Sequence, residues 1–134
     1  MLTRVDHLGI AVRDLNEALA LYARAFSLEV DHRGVIDDQG VEAVALRVGE
    51  SALELLRPVR DDSAVARFLA ERGPGIHHVA YAVDDIEAAL AALETRGVRL
   101  IDVRPRIGLG GRRIAFIHPK STFGVLSELV EVAR

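Results

Sequence analysis

The chain has 134 residues, half of them hydrophobic, no cysteine and a formal net charge of −3. That suits one domain with a sizeable core, and it excludes a disulfide framework, a thiolate nucleophile and a thiolate metal site. No basic run marks a nucleic-acid face and no apolar run reaches the roughly 18 residues of a membrane span. The opening MLTRVDHLGIAV lacks the layout of a signal peptide, because polar residues interrupt a short apolar segment. A soluble cytoplasmic protein is the expectation.

The first predicted element is a strand over about Arg4–Val12. Alternation puts Leu8, Ile10 and Val12 on one face and His7, Gly9 and Ala11 on the other. A helix follows in DLNEALALYARAF, with Asp14 as N-cap, Glu17 three residues on, and Leu15, Ala18, Leu19 and Tyr22 as its apolar stripe. Three strands come next, about Leu28–Gly34, Val41–Val48 and Ala52–Leu56, separated by the turn signals DDQG and GES. In DDSAVARFLAERGPG, Asp62 or Ser63 caps a short helix that ends at Gly73-Pro74.

The order then repeats. A strand over about Ile76–Val83 sets Val79, Tyr81 and Val83 against His78, Ala80 and Ala82. The helix DDIEAALAALETRG has Ile86, Ala89, Leu90 and Leu93 inward and Gly97 as its stop. Strands are expected over about Val98–Val103, Arg112–His118 and Gly124–Val132, with GLGG (108–111) and PKSTFG as loops. Sliding the chain by 71 residues lays His7 on His78, Ala11 on Ala82, Val12 on Val83 and Asp14 on Asp85. Ala18, Leu19 and Ala20 then fall on Ala89, Leu90 and Ala91. Two copies this long indicate a duplicated βαβββ module rather than a solenoid. Module one covers about 4–57, a linker helix about 62–73 and module two about 76–132, all within one domain of 1–134.

The helices need an apolar sheet face, so the opposite face carries each histidine, flanked by Gly or Ala. The last strand of each module behaves alike. Glu54 lies between Leu53 and Leu55, and Glu128 sits among Leu126 and Leu129. A carboxylate inside an apolar strand is costly to bury unless something compensates it. The His-to-Glu spacing is 47 residues in the first copy and 50 in the second. If the modules pair by pseudo-twofold symmetry, His7, Glu54, His78 and Glu128 converge as two imidazoles and two carboxylates. That set suits a divalent ion without selecting among Co²⁺, Mn²⁺, Ni²⁺, Zn²⁺, Fe²⁺ and Mg²⁺. Taken singly, His7 reads as a strand-end histidine and Glu54 as a solvated residue; the doubled pattern favours ligands. His77 is expected to point away from the site, and His32 to be solvated.

With these features the chain resembles the vicinal oxygen chelate superfamily, whose paired βαβββ units form a cupped, incomplete eight-stranded barrel-like sheet, an α+β fold, around a divalent metal. Within it the chain resembles the methylmalonyl-CoA epimerase family. The carrying segments are DHLGIAV, ALELLRP, DDSAVARFLAERGPGIHHVAYAVDDIEAAL, RGVRLI and IAFIHPKSTFGVLSELVE. The resemblance implies metal ligands at His7, Glu54, His78 and Glu128, with Glu54 at a position that is Gln in some members. It implies Co²⁺ foremost, with Mn²⁺, Ni²⁺, Zn²⁺ or Mg²⁺ as alternatives. It also implies an isomerase that interconverts (R)- and (S)-methylmalonyl-CoA by C2 proton transfer through a metal-stabilised enolate, in propionyl-CoA metabolism. Glu128 and Glu54 are the expected catalytic carboxylates.

Some members carry a further carboxylate on the third strand, where this chain has Ala43; alternation turns neighbouring Glu42 to the other face unless a bulge re-aims it. Phe123 stands at a loop position usually polar or glycine. Arg104, Arg106, Arg112, Arg113 and Lys120 are candidates to meet coenzyme A phosphates, with solvated cations as the plainer reading. The expected partners are an acyl-CoA substrate and a second copy in a homodimer, which covers sheet edges. The rival readings are a glyoxalase I-like lactoylglutathione lyase, a superfamily dioxygenase and a non-catalytic resistance protein of the same fold.

Overall fold

The computed structural model of the chain describes residues 1–132. The elements run β1 (Arg4–Ala11), α1 (Leu15–Ala25), β2 (Val30–Ile36), β3 (Val41–Val48), β4 (Ser51–Pro58), α2 (Ala64–Arg72), β5 (Gly75–Val83), α3 (Ile86–Thr95), β6 (Arg106–Ile107), β7 (Arg113–Ile117) and β8 (Ser127–Glu131). The chain divides into two compact units. One is His7–His77; the other joins Met1–Asp6 to the residues from His78 onward. The boundary falls inside β1, between Asp6 and His7.

In the first unit the strand order is β2-β3-β4-β1. β1 and β4 are parallel, with Gly9 opposite Glu54; the β2/β3 and β3/β4 pairs are antiparallel. The β3/β4 register is unbroken from Val41↔Pro58 to Val48↔Ser51. It closes on a turn with Gly49 at φ 59°, a left-handed value that glycine adopts without a Cβ clash. Helix α1 starts where the Asp14 carboxylate accepts from the Glu17 N–H at 3.0 Å. Its Leu15, Ala18, Leu19 and Tyr22 pack on Ile10, Val12, Val44, Leu46 and Leu55. Each fully buried leucine there is worth roughly 1.5–3 kcal/mol. β2 is the edge, and its exposed Asp31, His32 and Arg33 discourage pairing with another chain. Of the two candidate caps for α2, Ser63 is the one that accepts from Ala66 N–H, and the helix ends at Gly73 with φ 75°.

In the second unit the order is β5-β8-β7-β6. β5 and β8 are parallel, with Ala80 opposite Glu128; the β7/β8 and β6/β7 pairs are antiparallel. Asp85 caps α3 by accepting from Ala88 N–H at 3.0 Å. Ile86, Ala89, Leu90 and Leu93 pack on Tyr81, Val83, Ala115, Ile117 and Leu129. The N-terminal Thr3 donates its N–H to Ala82 O at 2.9 Å.

Here two expected strands change. Val98–Val103 forms no strand; it makes a single bridge, Leu100 to Ile117, and pairing resumes only at β6. The cause is Asp102. Its carboxylate accepts the Phe116 N–H at 2.8 Å, replacing a backbone acceptor, while the N–H groups of Ile101 and Asp102 both donate to Phe116 O. The last strand begins at Ser127 rather than Gly124, because Phe123 and Gly124 take φ of 57° and 88° in the preceding turn. The chain is thus α+β, with two βαβββ modules.

Candidate active site

In the first unit His7, Gly9 and Ala11 face away from α1. The parallel register places Glu54 on that same face. His7 Nε2 and Glu54 Oε2 are 3.3 Å apart, and both residues are buried, at 2% and 6% exposure. Ala45 lies opposite Glu54, and Ala43 opposite Leu56, so the surface around the pair is lined by small residues. Glu42 is on the other face. It accepts from Arg57 at 3.0 Å and Arg33 at 3.2 Å. The hydrogen bond from Arg57, then that from Arg33, holds its carboxyl below the usual carboxylate range. No bulge interrupts the β3/β4 register to turn it toward Glu54.

The second unit repeats the arrangement. His78, Ala80 and Ala82 face away from α3, and Ala80 pairs with Glu128 as Gly9 pairs with Glu54. His78 Nε2 and Glu128 Oε2 are 3.1 Å apart, at 2% and 4% exposure. The wall differs. Phe116 stands opposite Glu128, where the first unit has alanine, and its ring meets the His78 ring edge-on at 5.7 Å and 87°. The Arg106 guanidinium covers Phe116 at 5.1 Å.

Each pair therefore aims an imidazole nitrogen and a carboxylate oxygen at one point in a buried apolar face. Two donors held at right angles about 2.1 Å from one ion are about 3 Å apart, so each spacing fits two adjacent ligands of a divalent cation. Neutral imidazole with carboxylate is also the donor chemistry of such ions.

The other histidines go elsewhere. His77 sets its ring edge-on to Phe68 at 5.2 Å, and His32 is exposed beside Asp31. Among the candidate phosphate cations, Arg112 makes a two-pronged pair with buried Asp6 at 2.9 and 3.0 Å. Arg106 pairs with Asp102 and Arg113 with Glu87, while Arg104 and Lys120 are exposed. Two contributors were missed in the sequence. Phe116 was signalled only by alternation in IAFIHP, and the Asp6–Arg112 pair, 106 residues apart, by nothing local.

The family model described as Glyoxalase/Bleomycin resistance protein/Dioxygenase superfamily matches residues 6–116. The chain belongs to this superfamily and, within it, to the methylmalonyl-CoA epimerases. A Cereibacter sphaeroides ethylmalonyl-CoA/methylmalonyl-CoA epimerase is 38% identical, covering 98% of this chain and 100% of the relative. A solved methylmalonyl-CoA epimerase in complex with methylmalonyl-CoA and ammonium is 43% identical, with TM-score 0.96 over 99% of this chain and 96% of that one. A Streptomyces coelicolor epimerase variant in complex with 2-nitronate-propionyl-CoA gives the same identity, TM-score and coverage. Among the described residues no helix is long and apolar enough to cross a membrane.

Proposed function

We propose that this chain is a metal-dependent epimerase of methylmalonyl-CoA, with His7, Glu54, His78 and Glu128 as the ligands of one divalent ion. The observation that carries the reading is the buried His–Glu pair, written twice in the same strand register within a chain that is 38–43% identical to epimerases. His7, Glu54 and His78 are all buried donors of a type that holds metal ions. Co²⁺ is the first choice, with Mn²⁺, Ni²⁺, Zn²⁺ or Mg²⁺ as alternatives. Bound there, the ion supplies Lewis-acid stabilisation of the negative charge that develops on the thioester oxygen.

The protein groups then do the proton work. Epimerisation removes the C2 proton from one face of the carbon and returns one to the other, so two groups must flank C2. Glu128 is the first carrier and Glu54 serves the opposite face. Glu42 is committed to Arg57 and Arg33 on the far side of its strand and takes no part. Burial of both carboxylates in apolar strands keeps water from the transferred proton. Each acid–base step is worth about 10²–10⁴-fold. The small lining at Ala43 and Ala45 suits a 2-alkylmalonyl thioester with a short alkyl group. A homodimer in the cytoplasm completes the reading.

The test is C2 proton exchange of methylmalonyl-CoA in D₂O, followed by NMR, on metal-stripped protein and after adding Co²⁺ or Mn²⁺. Metal-dependent exchange is expected. Folded protein with no exchange under any metal overturns the reading, and the hemithioacetal of methylglyoxal and glutathione becomes the next substrate to try.

A further inference from the structure

In the second unit one carboxylate oxygen makes two unlike contacts. Asp102 Oδ2 accepts the Phe116 N–H at 2.8 Å and the Arg106 Nε–H at 3.2 Å. The guanidinium held in this way covers the Phe116 ring, 5.1 Å from its centroid. Asp102 therefore grips the backbone of Phe116 and also the cation that lies over its side chain. Arg106 stands opposite Ile114 in the β6/β7 ladder, and Ile114 shares a face with Phe116, two residues on. That is the face of Glu128, which stands opposite Phe116. A single partly exposed ion pair such as Asp102–Arg106 adds little stability. What this one does is restrict the plane of the Phe116 ring.

That ring bears on His78. The two rings meet at 87° with centroids 5.7 Å apart, and His78 Nε2 lies 3.1 Å from Glu128 Oε2. The last side-chain torsion of histidine is broad rather than three-welled, so the strand alone does not fix the plane of the imidazole. A neighbouring aromatic ring does so, because such pairs favour an edge-to-face angle. In the first unit Ala45 stands opposite Glu54, at the place that Phe116 takes opposite Glu128.

We infer that Asp102 and Arg106 are positioning residues for His78. Together they latch the Phe116 ring, and the latched ring holds the imidazole in the plane where Nε2 meets Glu128 Oε2. Contacts that orient a metal-binding histidine from behind are worth about 10–100-fold in affinity. That consequence rests on the metal-site reading above; the plane of the ring does not depend on it.

The metal-free full chain is measured first, by NMR of the His78 ring protons, whose shifts carry the ring current of Phe116. Arg106→Gln leaves both rings in place, so a changed shift reports a changed plane and not a lost ring. Asp102→Asn keeps an oxygen to accept the Phe116 N–H and loses only the ion pair. Both variants are expected to move the His78 shifts toward random-coil values, and to weaken Co²⁺ binding about tenfold in a titration. Arg106→Lys keeps a cation over the ring and is expected to recover most of that affinity. Asp85→Ala, a cap lost in the same unit, is the control for general loosening. Unchanged His78 shifts in Arg106→Gln and Asp102→Asn overturn the inference. So does a Co²⁺ loss in Asp85→Ala as large as that in Arg106→Gln. If the wild type binds no Co²⁺, the metal reading falls, and the shifts of the metal-free chain still decide the latch.

Discussion

The two modules carry the same histidine, the same glutamate and the same strand register, and they differ in nearly everything around them. In the first module an unbroken eight-residue hairpin, β3/β4, backs the pair with Ala43 and Ala45. In the second, β6 has shrunk to two residues, and an aromatic wall of Phe116 under Arg106 takes the place of alanine. What stayed constant is the donor spacing, the burial of each pair and the helix caps Asp14 and Asp85. What changed is the space beside it. Alanine flanks the first pair and an aromatic ring the second.

The strongest way to break this comparison is to remove each carboxylate in turn. Glu128→Ala is expected to lower C2 exchange by about 10³-fold, and Glu54→Gln by about 10²-fold. Equal losses would mean that the aromatic wall gives the second pair no special role. The walls can be tested directly. Phe116→Ala is expected to destabilise the chain by about 3–5 kcal/mol in urea unfolding, whereas Ala45→Phe costs about 1–3 kcal/mol by overpacking. A cost below about 1 kcal/mol for Phe116→Ala would show that the ring is not part of a packed wall.

Metal linkage comes next. Co²⁺ at a hundred times its dissociation constant is expected to stabilise the wild type by about 2.7 kcal/mol. His78→Ala should abolish that gain in a thermal melt, and a retained gain would place the ion elsewhere. The caps should cost alike: Asp14→Ala and Asp85→Ala about 1 kcal/mol each, and a twofold disparity would show that the repeat is imitation rather than equivalence. The smallest effect belongs to Glu42. Its folded pKa is depressed, so its contribution is present at neutral pH and lost as pH falls through that folded value, below the ordinary carboxylate pKa. Glu42→Gln should cost about 0.5 kcal/mol at pH 7, a difference that vanishes in acid.

Much of this was legible in the residues because local rules governed it. The alternation around His7 and His78 assigned their faces, and Glu54 and Glu128 stood out as carboxylates set among leucines in the last strand of each module. Asp14, Asp85, Ser63 and Gly97 behave as helix punctuation predicts, and alternation alone sent Glu42 to the far face. The misreading at Val98–Val103 had a specific source. VRLIDV has the apolar and β-branched content of a strand, yet a single carboxylate, Asp102, competes for the N–H that a strand would have used. Long-range pairing was invisible for the same reason that Arg112 looked like a candidate for phosphate: its partner Asp6 lies 106 residues away in sequence. The left-handed backbone of Phe123 had no local signal either, since a Phe-Gly pair assigns that conformation to glycine alone.

The Asp102 carboxylate has a consequence for how such a protein can vary. A strand transmits every insertion along its ladder, because one added residue reverses the facing of all that follow. A side chain that closes the edge of β7 transmits nothing. The stretch between Asp102 and Arg106 can therefore gain or lose residues while Phe116, and the Glu128 opposite it, keep their orientation. One aspartate separates the part of the second module free to drift in length from the part that is not.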